Sequence, residues 1–93
     1  MDKVMVDEME FRGDTIPVSG AKLLLIQGSR GMLGCGYLNL ATADKLGHAL
    51  AIVTGVGSYD DMLNAEVKSV SAAAQDLGVT VGMSGAEALK KFF

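Results

Sequence analysis

The sequence has no tryptophan, one cysteine, one histidine and one proline, and its aromatic residues are two Tyr and three Phe. Each shortage closes off a class of protein. One cysteine cannot form an internal disulfide, so a reduced thiol in a cytoplasmic protein is expected. One histidine, with no cysteine at ligand spacing from it, provides no metal-binding set, and no metal or other cofactor is expected. Asp44 and His48 are four apart, but Gly47 is expected to end a helix between them. Five aromatics make no base-stacking platform, and a net charge of −3 with acids and bases interspersed gives no basic stripe. Nucleic acid is therefore not an expected partner. Long hydrophobic runs are missing as well. Leu23–Ile26 is typical of those present, whereas roughly 18–20 apolar residues are needed to span a bilayer. The opening MDKVMVDEMEF carries acids and no apolar core of a signal peptide. Neither membrane insertion nor export is expected.

Apolar residues, by contrast, are abundant. They make up 49% of the 93 residues, against 20% charged, where ordinary domains carry roughly 25% charged. Residues 1–93 are read as a single domain. At this size about 60–65% of the unfolded surface can be hidden, so apolar surface is left over. That favours a homo-oligomer in which one face becomes interior.

The stretch Gly31–Ser58 organises the chain, holding the only Cys, the only His and half of the 12 glycines. Before it the pattern is β-hairpin. Val4–Phe11 alternates imperfectly and predicts a strand with a bulge or a change of face; Arg12-Gly13-Asp14 predicts a turn; Thr15–Val18 predicts a short strand whose Pro17 belongs at an edge. Ser19-Gly20 turns the chain, Ala21–Gln27 predicts a central strand covered on both faces, and Gly28–Gly31 predicts another hairpin turn. Met32–Leu38 predicts the next strand. Period-two alternation puts Leu33, Cys35 and Tyr37 on one side and Met32, Gly34, Gly36 and Leu38 on the other, which leaves a bare glycine patch. Asn39 is a candidate N-cap for a helix over Leu40–Leu46, Gly47 its left-handed stop, and Ala49–Val53 a buried strand.

Thr54-Gly55-Val56-Gly57 then leads to a helix capped by Ser58, with Asp61 placed to complete a capping box. Val67, Val70, Ala74 and Leu77 recur at spacings of three and four, helical rather than strand-like, over Glu66–Leu77, which is read either as one helix or as a strand followed by a helix, ended by Gly78. Val79–Gly82 reads as a linker or short edge strand. Ser84 and Glu87 form a second capping box, opening a terminal helix with Ala86, Leu89 and Phe93 aligned. The fold class is α+β: a compact mixed sheet of N-terminal hairpins plus one strand–helix–strand unit, with C-terminal helices packed on it.

The runs CGYLN (35–39), ADKLG (43–47), AIVTGV (51–56), DDMLNAEV (60–67) and GMSGAEAL (82–89) together resemble the YunC-like family of small bacterial and archaeal proteins of unassigned function. The resemblance covers roughly residues 23–89. It implies a small mixed α+β fold and no particular activity.

Two places carry candidate chemistry. The first is Cys35 with its neighbours Gly36, Tyr37 and Asn39. A nucleophilic thiol needs a base or positive neighbour, and alternation groups Cys35 with Leu33 and Tyr37 in the manner of a buried small hydrophobe. The second is the turn Thr54, Gly55, Gly57 and Ser58, whose backbone N–H groups could face an anion. Asp60 and Asp61 oppose one there, no Walker lysine follows, and the third glycine of a dinucleotide fingerprint is missing. Two functions follow: a non-catalytic homo-oligomeric module binding a small molecule or protein, which the balance favours, and a small enzyme using Cys35 with anion support from Thr54–Ser58.

Overall fold

The computed structural model describes residues 1–93. Six strands form one sheet in chain order: β1 (Asp2–Val6), β2 (Met9–Val18), β3 (Ala21–Gln27), β4 (Met32–Gly34), β5 (Leu50–Ile52) and β6 (Ser69–Val70). Neighbours are antiparallel except β4 and β5, which are parallel and joined through helix α1 (Leu40–Leu46). Helices α2 (Tyr59–Asn64), α3 (Ala72–Asp76) and α4 (Gly85–Lys91) complete a mixed α+β fold, as expected. No helix is long and apolar enough to cross a membrane.

Register decides which side chains share a face. Leu24, Ile26, Leu33, Cys35, Ala51 and Val53 point to one side and, with Val4 and Phe11, meet Met62, Ala88, Leu89 and Phe92 in the main core. On the opposite side a smaller cluster of Ala43, Leu50 and Ile52, flanked by Met32, Leu38 and Leu40, seats α1. The central strand β3 is therefore fully covered on one face only; Leu23 and Leu25 on the other are half-buried.

The first hairpin differs from the sequence expectation. Its turn is Asp7-Glu8, with Val6 opposite Met9 and Asp7 at φ 54°, while Arg12-Gly13-Asp14 lies inside the continuous strand β2. Gly13 is small because of a close approach. A Cβ there would stand 2.7 Å from Val4 Cγ2 and 2.8 Å from the Tyr59 ring. That ring closes the end of the sheet, its hydroxyl donating to Asp2 (2.7 Å) and accepting from Thr15 (2.9 Å). Loss of hydration and the Asp2 carboxylate raise its pKa, against the Thr15 bond. Pro17 is where expected: β1 pairs only as far as Gly13, so the rest of β2 has β3 on one side and an open edge on the other.

Of the two arrangements open for Glu66–Leu77, the structure has the strand followed by a helix. Lys68 N–H donates to Ile52 O (2.8 Å), Ser69–Val70 forms β6 against β5, and only then does α3 begin. The apolar spacing marked burial correctly, since Val67 and Ala74 are wholly buried, but not the backbone conformation. Ser71 is the reason. Its buried hydroxyl accepts from Leu50 N (2.9 Å) and from Ala74 N (3.3 Å) and donates to His48 O (2.8 Å). One donor and two lone pairs are thus all used, and they tie β5 to the start of α3. Asp44 Oδ1 accepts from Ala72 N (2.7 Å) beside it.

Val79–Gly82 is a turn with no strand, Gly82 at φ +100°. The Ser84–Glu87 capping box is complete. Helix α4 docks, but one residue away from the expected alignment: Ala88, Leu89 and Phe92 are wholly buried, and Phe93 is half exposed with its ring edge-on to Phe11 at 5.6 Å. The β3–β4 loop clasps this end of α4. Arg30 N–H donates to Phe92 O and Arg30 Nη2 to Lys91 O, both at 2.9 Å.

Two expectations about stability follow. Ser71→Ala leaves the buried Leu50 N–H without an acceptor and should cost about 2–3 kcal/mol in urea unfolding; a loss near zero would show that the hydroxyl does not join β5 to α3. Gly85→Ala drives a methyl into the Met62 carbonyl and to 2.9 Å from Leu33 Cδ2, and should cost about 3 kcal/mol or more. Gly20→Ala meets no neighbour within 4 Å and, at φ +83°, should cost only about 1 kcal/mol. Equal midpoints for the two glycine variants would contradict the packing.

Candidate functional site

Antiparallel pairing of β3 with β4 and parallel pairing of β4 with β5 place the start of β3 and the ends of β4 and β5 at one margin of the sheet. A cleft of about 530 Å³ opens there. Three short segments line it: Gly20-Ala21-Lys22, Cys35-Gly36-Tyr37 and Gly55-Val56-Gly57. Its position outside the carboxyl ends of adjacent parallel strands is one where α/β sheets commonly bind ligands.

The Cys35 wall is made by an exchange of acceptors. Cys35 N–H still donates to Leu24 O (3.2 Å) as a strand residue would. Its carbonyl, however, turns to accept from Leu38 N (3.1 Å), and its sulfur accepts from Leu24 N (3.3 Å). The sulfur thus occupies the ladder position that the carbonyl vacates, and β4 ends at Gly34 rather than continuing to Leu38. This corrects the predicted grouping: Cys35 is 5% exposed, whereas Tyr37 leaves the strand and is 54% exposed. It also removes the bare glycine patch. Leu38 folds back over Gly34 until no room for a Cβ remains, and Gly36 has only Thr54 Cγ2 near its missing Cβ, at 3.7 Å.

The opposite wall comes from the turn after β5. Gly55 has φ +71°, a left-handed conformation that glycine adopts without a side-chain clash. Ser58 caps α2 by accepting from Asp61 N (3.1 Å), as expected, but the capping box is not closed. The Asp61 carboxylate reaches one residue further back and accepts from Gly57 N (3.0 Å).

Of the residues singled out in the sequence, Cys35, Gly36, Tyr37, Gly55 and Gly57 line the cleft together. Asn39 does not; its side chain accepts from Thr42 N (3.0 Å) to cap α1. Ser58 is committed to its own cap, and Thr54 stands behind Gly36. Sequence reasoning missed Val56 and the whole third wall, Gly20-Ala21-Lys22. The Ser19-Gly20 hairpin turn was readable, with both residues at positive φ (40° and 83°) as a tight two-residue hairpin requires. What brings it to Cys35 is the strand register, which no local pattern encodes.

His48 is at the other end of the molecule's parallel pair. It precedes β5 while Cys35 follows β4, and Val53 N–H donates to Gly34 O (3.0 Å) at the cleft end. Val53 is five positions on from His48 along this extended stretch, on the order of 15 Å. It borders a separate hollow with Gln27, Arg30 and Met32.

Comparison with known proteins matches these same elements. The domain of unknown function DUF1805 matches residues 34–92, from the end of β4 through α4. The uncharacterized protein YunC of Bacillus subtilis (strain 168) is 34% identical over 92 residues, covering 95% of this chain and 91% of that one. The crystal structure of a protein of unknown function, TA1206 from Thermoplasma acidophilum, superposes with a TM-score of 0.93 at 34% identity, covering 99% of this chain and 90% of that one. With more than half its length matched and a YunC homologue aligned almost end to end, the chain belongs to the DUF1805 family of YunC-like proteins.

Proposed function

We propose that the protein is a non-catalytic cytoplasmic binding module that self-associates through the uncovered side of β1–β3 and takes a small ligand in the cleft. The observation that carries this reading is the second face of the sheet. Helix α1 seats on Leu50 and Ile52, while Ile16 (53%) stays exposed opposite half-buried Leu23, with half-buried Leu25 next along β3, and Met5 (50%) is exposed further out on β1, opposite Glu10. The charges on that side are Lys3 with Glu10 (3.6 Å) and Arg12 with Asp14 (3.0 Å). They cancel in pairs, so a second copy brought against the face by a two-fold axis meets apolar surface and no block of like charge. The covered thiol fits the same reading: its sulfur is engaged by the Leu24 amide.

The rival reading, a cysteine enzyme, draws on the same cleft, since Cys35 and Gly55–Gly57 line it together. The turn's support for an anion is weakened because Asp61 already holds the Gly57 N–H.

Two measurements separate the readings. In sedimentation velocity the protein should run as a dimer or larger, and Ile16→Lys should shift it to monomer with an unchanged circular dichroism spectrum. A monomer at every concentration would remove self-association from the proposal. With iodoacetamide at pH 7, Cys35 in the native protein should react at least about tenfold more slowly than in the urea-unfolded chain; reaction at or above the unfolded rate would favour the nucleophile.

A further inference from the structure

The lining of the cleft specifies what kind of ligand it takes. Lys22 is the only charged residue among the nine that line it, and it makes no ion pair within the chain. Around it the main chain offers donors. Backbone N–H groups of Gly36, Tyr37, Gly55 and Val56 donate to no atom of the protein, whereas their neighbours Cys35, Leu38 and Gly57 each do. An ammonium group, and peptide N–H groups with no acceptor in the protein, on residues that line one concavity favour negative charge. The chain already gives one instance of this chemistry, because the Asp61 carboxylate accepts the Gly57 N–H at the same rim.

That carboxylate also limits the guest. A second anion shares the rim with it, so a single negative charge is tolerated better than the nearly double charge of a phosphate. The volume adds a further condition. A cleft of about 530 Å³ is in the range of small-molecule sites and far exceeds a carboxylate alone. Ala21, Val56 and the edge of Cys35 supply apolar wall, and the exposed ring of Tyr37 supplies a flat face.

We propose that the cleft binds a small monocarboxylate with an apolar, aromatic body, its carboxylate held by Lys22 and the open main-chain N–H groups and its body laid on Tyr37. This rests on the reading of the cleft as a ligand site and names the chemistry of the guest.

The test is a titration of ¹⁵N-labelled protein at constant pH and ionic strength with sodium benzoate, with benzamide as the uncharged isostere and with inorganic phosphate. Benzoate should produce saturable shifts centred on the amides of Gly36, Tyr37, Gly55 and Val56. Benzamide, phosphate and the Lys22→Gln variant with benzoate should each bind at least about fivefold more weakly. Equal affinity for benzoate and benzamide, tighter binding of phosphate than of benzoate, or an unchanged affinity in Lys22→Gln would overturn the carboxylate assignment while leaving a ligand site in place. If none of the three probes moves the cleft amides, the ligand site itself falls with it.

Discussion

The sulfur of Cys35 accepts the Leu24 N–H that a strand carbonyl would otherwise take, and the course of the chain beyond β4 follows from it. With the sulfur in the ladder, the Cys35 carbonyl is free to close a turn onto Leu38. Leu38 then covers Gly34 and joins the cluster under α1. Gly36 and Tyr37 are left outside the sheet, facing the turn after β5 across open space. A neutral sulfur is a weak acceptor, yet here it spares a buried N–H from being unpaired, and an unpaired donor in the interior is costly. Strand end, α1 packing and one wall of the cleft share this origin.

The parallel pair gives that turn its setting. Two parallel strands cannot be joined by a hairpin, so the chain must travel back along the sheet before β5 can start, and the short α1 between Asn39 and Gly47 does this. Such a short helix provides little stability alone. Asp44 ties it to Ala72, and the Ser71 hydroxyl fixes both His48 and Leu50 where the crossover re-enters the sheet. The end opposite the cleft is therefore tied together by side chains from α1 and from the cap of α3. The cleft end is built from turns, three of whose residues lie at positive φ: Ser19, Gly20 and Gly55.

What could be read from the sequence was local. Asn39, Gly47, Ser58 and Ser84 act through atoms within four residues of themselves, and all four take up the expected capping positions. Where a residue's role lies across the fold, the reading went astray. Gly13 looked like a turn because its actual reason, the Tyr59 ring, is distant in sequence. Val67 to Leu77 looked helical because spacings of three and four mark burial whichever backbone carries it; Ser71 breaks the run through partners more than twenty residues away. The cleft was half legible for the same reason. Its glycine turns announce themselves, while Lys22 arrives only through the register of β3 against β4.

The clasp between the β3–β4 loop and the end of α4 has a consequence for how the protein is made. Synthesis proceeds from the amino end, so β1 to β4 emerge with Val4, Phe11, Ile26 and Leu33 awaiting Leu89 and Phe92, which lie between 56 (Leu33 to Leu89) and 88 (Val4 to Phe92) residues downstream. Until those arrive, a nascent chain presents an oily sheet surface with nothing to shelter it. A core closed by partners so far apart in the chain carries a large loop-closure cost, and contacts of that separation slow folding.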